Sequence, residues 1–191
     1  MKSSVFYFFL LLFFASCSPV LFETIDFVKD NTLEFIPIEL RGKYISSDGD
    51  YLTLSDRILD MGYDSINGKR QMDTLKRGSF EIAKFEDYYL LCKKDDGFWS
   101  IVPLLLNRNK LNVYYIDEDE YAENNLKDIK DENKKKEIFF SRLNKITPVK
   151  KIYKESGKID YYLINPTKKQ FKKLLYKGFF SKIDELTRIE S

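Results

Sequence analysis

Two cysteine sulfurs, thirty acidic side chains and no imidazole limit the chemistry open to this 191-residue chain. Without histidine the commonest general base and zinc ligand are missing, and Ser-His and Cys-His nucleophile pairs are ruled out. Carboxylate-only hydrolysis would still need two acidic groups facing one cleft, roughly 5–10 Å apart. The acidic candidates are Asp48 and Asp50 around Gly49, the triplet Asp95-Asp96-Gly97, and the run Asp117-Glu118-Asp119-Glu120. Calcium takes about six to eight oxygen ligands, but the glycine and spaced carboxylates of an EF-hand are missing from that run. Hairpin turns account for the first two groups, and a solvated loop after a strand accounts for the third. No enzyme, metal or cofactor is therefore expected.

Trp99 with Tyr88, Tyr89, Tyr114 and Tyr115 could form an aromatic platform for a sugar or lipid. Cross-strand aromatic pairs also stabilise sheets by ~0.2–1 kcal/mol each, so packing explains them equally. The doublets Lys150-Lys151, Lys168-Lys169 and Lys172-Lys173 make the region 134–182 basic, although the whole chain carries a net charge of only +2. They could meet phosphate-bearing head groups or a protein partner, or simply form a solvated helix face. Cys92 reads as a buried strand thiol.

Cys17 is a different case. After Met1-Lys2-Ser3-Ser4, every residue from Val5 to Phe14 is apolar or aromatic. A spanning helix needs ~20 apolar residues for a ~30 Å core, so this run is too short to cross. A basic start, a short apolar run and a small-residue exit form the pattern of a secretory signal. The exit Phe14-Ala15-Ser16-Cys17 resembles the lipobox of bacterial lipoproteins, with Phe14 where leucine is usual. That resemblance implies cleavage between Ser16 and Cys17, a diacylglyceryl thioether on the Cys17 sulfur, and acylation of the new amine. Two or more acyl chains give stable anchoring where one gives marginal binding. Two alternatives stand beside it. One is an ordinary signal cleaved near Cys17, which Pro19 would hinder; the other is an uncleaved anchor reaching Phe22, which would bury Ser16, Ser18 and Pro19.

The lipoprotein resemblance implies a membrane-anchored address in the cell envelope. Ser18 stands where an aspartate retains many such proteins at the inner membrane, which points to the outer one. The membrane, through the lipid anchor, is then the first partner, and nucleic acid is not one. With Cys17 consumed by lipid, Cys92 has no intramolecular partner and no disulfide framework exists.

A composition of 43% hydrophobic and 16% aromatic residues predicts a folded mature chain. Residues 1–16 form the signal and 17–34 a tether without strong periodicity. Residues 35–116 read as an antiparallel β-domain, opening with Ile36, Ile38 and Leu40 in alternation and continuing through Tyr44-Ile45. Tyr51–Leu54 and a run after Ser55-Asp56 follow, and the stretch from Ile66 to Gly78 reads as a long loop turning at Asn67-Gly68. Four strands then form a meander: Ser79–Phe85, Tyr88–Lys93, Phe98–Leu106 and Leu111–Ile116. In the second of these, Tyr88, Leu90 and Cys92 share one face while Tyr89, Leu91 and Lys93 share the other. The third is apolar on both faces, which requires cover on both, and Pro103 within it marks an edge or a bulge.

Residues 117–137 form a charged linker or exposed helix, and 138–191 a basic α/β part. In that part Ile138, Phe139, Leu143 and Ile146 have helical spacing, and a hairpin turns at Ser156-Gly157. The clearest helix is predicted after a Thr167–Gln170 capping box, with Phe171, Leu174 and Leu175 as its apolar stripe and Gly178 ending it. The tail is helix or strand. The expected class is α+β: an antiparallel β-meander, as a small barrel or curved sheet, followed by a mixed C-terminal part with at least one amphipathic helix. The opening Leu40-Arg41-Gly42-Lys43-Tyr44 and the hairpins to residue 116 resemble the lipocalin-like small barrels of envelope lipoproteins. This implies at most a ligand-holding cavity.

Overall fold

Hairpin punctuation sets the architecture of the computed structural model, which describes residues 19–63 and 69–190. The first strands are β1 (Val20–Phe22), β2 (Thr32–Leu33), β3 (Gly42–Ile45), β4 (Tyr51–Leu54), β5 (Ile58–Tyr63) and β6 (Arg70–Thr74). The meander follows as β7 (Phe80–Phe85), β8 (Tyr88–Asp95), β9 (Phe98–Asn107) and β10 (Lys110–Ile116). Helices α1 (Glu118–Asn125) and α2 (Glu132–Asn144) lead to β11 (Val149–Tyr153) and β12 (Ile159–Ile164). Helix α3 (Lys168–Tyr176) and β13 (Phe180–Glu190) complete the described chain.

The meander forms because its connections suit tight turns. Phe85 faces Tyr88, Asp95 faces Phe98 and Asn107 faces Lys110, so each loop has two residues. Asp96 and Gly97 both have positive φ (46° and 90°), as the favoured two-residue hairpin turn demands. The strands join one curled, mostly antiparallel sheet, and the overall class is α+β. Strand β9 lies at its centre. It pairs with β8 on one side, and on the other with β10 near its C-terminal end and with β1 at Trp99. Pro103 therefore sits in an interior strand rather than at an edge. It stands one residue before Leu104, whose pair with Val113 is the last of the β9–β10 ladder, so the ladder has stopped there and a missing N–H is tolerated.

Both faces of the sheet are covered. Tyr88, Leu90 and Cys92 pack on the outer face beside β1, β12 and the three helices. Tyr89 and Leu91 point into the curl, where Tyr44, Leu54, Ile82, Leu104, Leu111 and Leu186 form the inner core. The alternation read along β8 separates these two cores directly.

Three further expectations need correction. The alternation Ile36, Ile38, Leu40 is not a strand: Ile38–Leu40 is a 3-10 helix that starts after Pro37. Ile36 and Leu40 are fully buried in the inner core, while Ile38 is 79% exposed, so the period is a helical turn rather than two. Proline's fixed φ suits a helix start and breaks a ladder, which decides the matter. Residues 20–33, read as a connecting stretch, carry β1, a 3-10 helix at Asp26–Asn31 and β2. β1 pairs in parallel with β12 and meets β9 at Trp99, both far away in sequence, and these partners make three residues a strand. The loop predicted from Ile66 to Gly78 contains β6, whose polar residues suit an edge strand; Asn67-Gly68 lies outside the described residues. The tail resolves as strand β13, which pairs with both β10 and β3.

Candidate functional site

A connected polar constellation lies at the mouth of the curl, built by segment 36–44, β8 and β13. Pro37 starts the 3-10 turn that drops Ile36 and Leu40 into the inner core and leaves Glu39 on the rim. The Tyr44 hydroxyl donates to the Leu40 carbonyl at 2.8 Å, closing the turn from below. Arg188, on β13, donates to the same hydroxyl through Nε at 3.1 Å and Nη2 at 2.5 Å, and through Nη2 to the Glu39 carbonyl. From β8 the Tyr89 hydroxyl donates to the Glu39 carboxylate, and the Lys84 ammonium sits 3.7 Å from the Tyr89 ring centre.

The electrostatics follow from these contacts. The Tyr89 hydrogen bond, and then a backbone one, hold the Glu39 carboxyl below its usual range. Burial, and then Glu39, push the Tyr89 phenol up to about 12. Burial also raises Tyr44, while Arg188 pulls the other way. A protonated phenol bound to an ionised carboxylate is a stable donor–acceptor pair. The group acts as a latch that fixes segment 36–40 over the inner core. Sequence reasoning missed Glu39 and Arg188. The one local signal was the four-residue spacing from Leu40 to Tyr44, and nothing local announces Arg188.

The predicted site residues are distributed elsewhere. Ser16 and Cys17 lie outside the described residues. Asp117 caps α1, its Oδ1 accepting from the N–H of Asp119 (2.8 Å) and Glu120 (3.0 Å). Acidic residues in a first helical turn complement the helix dipole, so the run expected as a solvated loop is a helix start. Between α1 and α2 lies a cleft of about 230 Å³ lined by Glu118, Asp119, Glu132, Asn133, Lys135 and Lys136. Lys136 pairs with Glu118 at 2.5 Å and Lys135 with Glu132 at 2.7 Å, so cations already answer two of its carboxylates. Burial, then Asp117 and Glu118, raise Asp119. Among the described residues, no cluster of three or more His, Cys, Asp or Glu could hold a metal ion.

Asp48 and Asp50 flank Gly49 (φ 90°) in the β3–β4 turn, and their backbone N–H groups donate to the Ser46 hydroxyl at 3.2 and 3.1 Å. They also face Asp184 of β13. Burial raises that carboxyl, and Asp48, Asp50 and Glu185 add to the shift, while the Glu185 N–H works against it. The five aromatic candidates do not form a platform. Trp99, Tyr88 and Tyr114 belong to the outer face, and Tyr88 meets Tyr114 edge-on at 5.6 Å. Tyr89 and Tyr115 belong to the inner face. The lysine doublets divide between β11 and α3, with Lys150 reaching Glu23 (3.1 Å) and Lys172 reaching Glu86 (2.9 Å). Cys92 is fully buried and its thiol is pushed far up by burial. It is a core residue, not a reactive one.

No helix among the described residues is long and apolar enough to cross a membrane. Comparison with family models, curated proteins and solved structures found no match to this chain.

Proposed function

We propose that this chain is a cell-envelope lipoprotein, anchored through Cys17, whose β-rich domain works by surface interaction. The observation that carries the reading is the Phe14-Ala15-Ser16-Cys17 exit after the Val5–Phe14 apolar run. It is supported by where the fold begins. β1 starts at Val20, so cleavage before Cys17 would leave every described element intact. Interaction at the surface is favoured over an enclosed ligand because sixteen buried side chains fill the inner core and the latched segment covers its mouth. In this reading α3 is the amphipathic helix of the C-terminal part, with Phe171, Leu174 and Leu175 inward and its lysines outward.

Metabolic labelling with an alkynyl fatty acid tests the anchor. Wild-type protein incorporates the label and Cys17→Ala does not. An unlabelled wild type, or unchanged labelling of the variant, overturns the assignment.

A further inference from the structure

We infer that the lipid on Cys17 holds the β11–β12 hairpin against the head-group layer, where Lys151, Tyr153, Lys154 and Lys158 bind anionic lipid; this rests on the lipidation proposed above. The reason is the length of chain between anchor and sheet. β1 runs parallel to β12 with Val20 level with Tyr162, and the Pro19 carbonyl accepts the Tyr162 N–H at 2.9 Å. Cys17 lies two peptide steps before Pro19, so their Cα atoms are at most about 7 Å apart. The head-group layer on each side of a bilayer is about 5–8 Å deep. A sheet fastened at Pro19 cannot stand clear of the surface to which Cys17 is attached.

Register then says which residues meet that surface. β11 lies beside β12 with Lys151 opposite Tyr162 and Tyr153 opposite Ile159. The turn at 154–158 continues past the level of Pro19, in the direction in which β1 runs back from Val20 to Pro19. Lys151, Tyr153, Lys154 and Lys158 are all exposed, Tyr153 at 58%. The acidic groups nearby are Glu155, Asp160 at 3.4 Å from Lys154, Glu23 at 3.1 Å from Lys150, and Asp96, which acts on Tyr161 of β12. Lysine stems and a tyrosine ring suit the boundary between acyl chains and phosphates, with apolar parts below and polar ends among the head groups. The lysines are also explained as guards of an edge strand. Guarding an edge does not bring a strand to a membrane, which makes the two roles separable.

The test uses the full-length lipidated protein in vesicles of phosphatidylethanolamine and phosphatidylglycerol, with phosphatidylcholine vesicles as the uncharged reference. A fluorophore is placed on Tyr153→Cys, Lys158→Cys or Tyr51→Cys, with buried Cys92 shielded from labelling, and quenched by head-group spin-labelled lipid. We expect quenching at 153 and 158 several-fold above that at 51, on β4. Adding Lys151→Glu and Lys154→Glu to the 153 probe should lower its quenching to the level in phosphatidylcholine. Protein that does not float with vesicles overturns the anchor and this inference together. Protein that floats but is quenched equally at all three positions overturns the orientation and leaves the anchor standing. Strong quenching at 153 that ignores both charge reversal and anionic lipid overturns the anionic-lipid contact.

Discussion

The two faces of the sheet are buried by different means. The outer face is covered by rings: Phe171 of α3 meets Phe27, Phe85, Phe180 and Phe22 with centroids 4.4, 5.1, 5.5 and 6.0 Å away. Tyr121 of α1 stacks on Phe179 at 4.9 Å, and Phe139 of α2 meets Tyr121 edge-on at 5.1 Å. The inner face is mostly branched aliphatic, with Tyr44, Phe80 and Tyr89 as its buried aromatics. Helices laid on a sheet leave wide gaps that large rings fill. A tight curl leaves small ones, and its two buried tyrosines reach the rim, where their hydroxyls find partners. The outer core thus rests on volume, and the inner one on volume plus a polar closure.

Phe171→Ala should break the outer face most severely. It removes the ring shared by α3, β1, β7 and β13, and truncations of this kind cost about 3–5 kcal/mol. Urea unfolding followed by far-UV circular dichroism should show the unfolding free energy fall by that amount, with a correspondingly lower midpoint. A loss below about 1 kcal/mol would mean the helices are not held by this ring cluster.

Gly42→Ala breaks the inner mouth instead. Gly42 has φ +143°, and a Cβ there would lie 2.5 Å from the Glu190 carbonyl oxygen. The end of β13 would have to move, carrying Arg188 away from Tyr44 and Glu39. Backbone conformations of this kind cost about 1–3 kcal/mol. Hydrogen exchange should speed up in β3 and at the end of β13, with the outer-face helices unchanged.

How much of this could be read from the sequence depended on how local the cause was. The β7–β10 meander was legible because each hairpin carries its own turn residues, and alternation along β8 separated the two cores in advance. The Thr167–Gln170 capping box was legible for the same reason, since both hydrogen bonds lie within four residues. Segment 36–40 misled because three apolar residues at every second position fit a strand and a 3-10 plug alike, and Pro37 was the clue that separated them. β1 and the latch were not legible. Three residues acquire strand geometry from β12, and Glu39 acquires its partners from β8 and β13, so neither leaves a periodic trace nearby. The turn aspartates were legible as turn residues, but their approach to Asp184 was not.

A smaller effect is expected from Tyr89→Phe, which removes the latch hydroxyl and keeps the ring. One hydrogen bond of this kind contributes about 0.5–1.5 kcal/mol at neutral pH. A carboxyl held below its unfolded value stabilises the fold above that value and gives the stabilisation up as pH falls through the folded pKa. Glu39 is such a group. The gap between wild type and Tyr89→Phe should therefore begin to narrow as pH falls to about 4, where glutamate protonates first in the unfolded chain, and should close only below the folded pKa. Tyr89 works in the opposite sense. Its phenol titrates near 12 when folded, so its contribution is complete below the ordinary tyrosine value of about 10 and is lost as pH rises beyond it. A gap constant from acid to alkali would mean the hydroxyl contributes through packing alone.

Asp184 supplies the counterpart at the other end of β3. Glu39 meets a donor, whereas Asp184 is half-buried facing Asp48 and Asp50, with the Glu185 N–H as a donor to its carboxyl. A carboxyl raised above its unfolded value weakens the fold as pH climbs through that value towards the folded pKa, and costs nothing in acid where both states hold the proton. Asp184→Asn keeps an oxygen for the Glu185 N–H and removes the charge. Its urea midpoint should lie slightly above wild type at pH 7, and the two should converge below about pH 4. The opposite signs at Glu39 and Asp184 make this pair informative. If Asp184→Asn destabilises the protein at neutral pH, the Glu185 contact outweighs the repulsion, and both ends of the inner core are closed by hydrogen bonding.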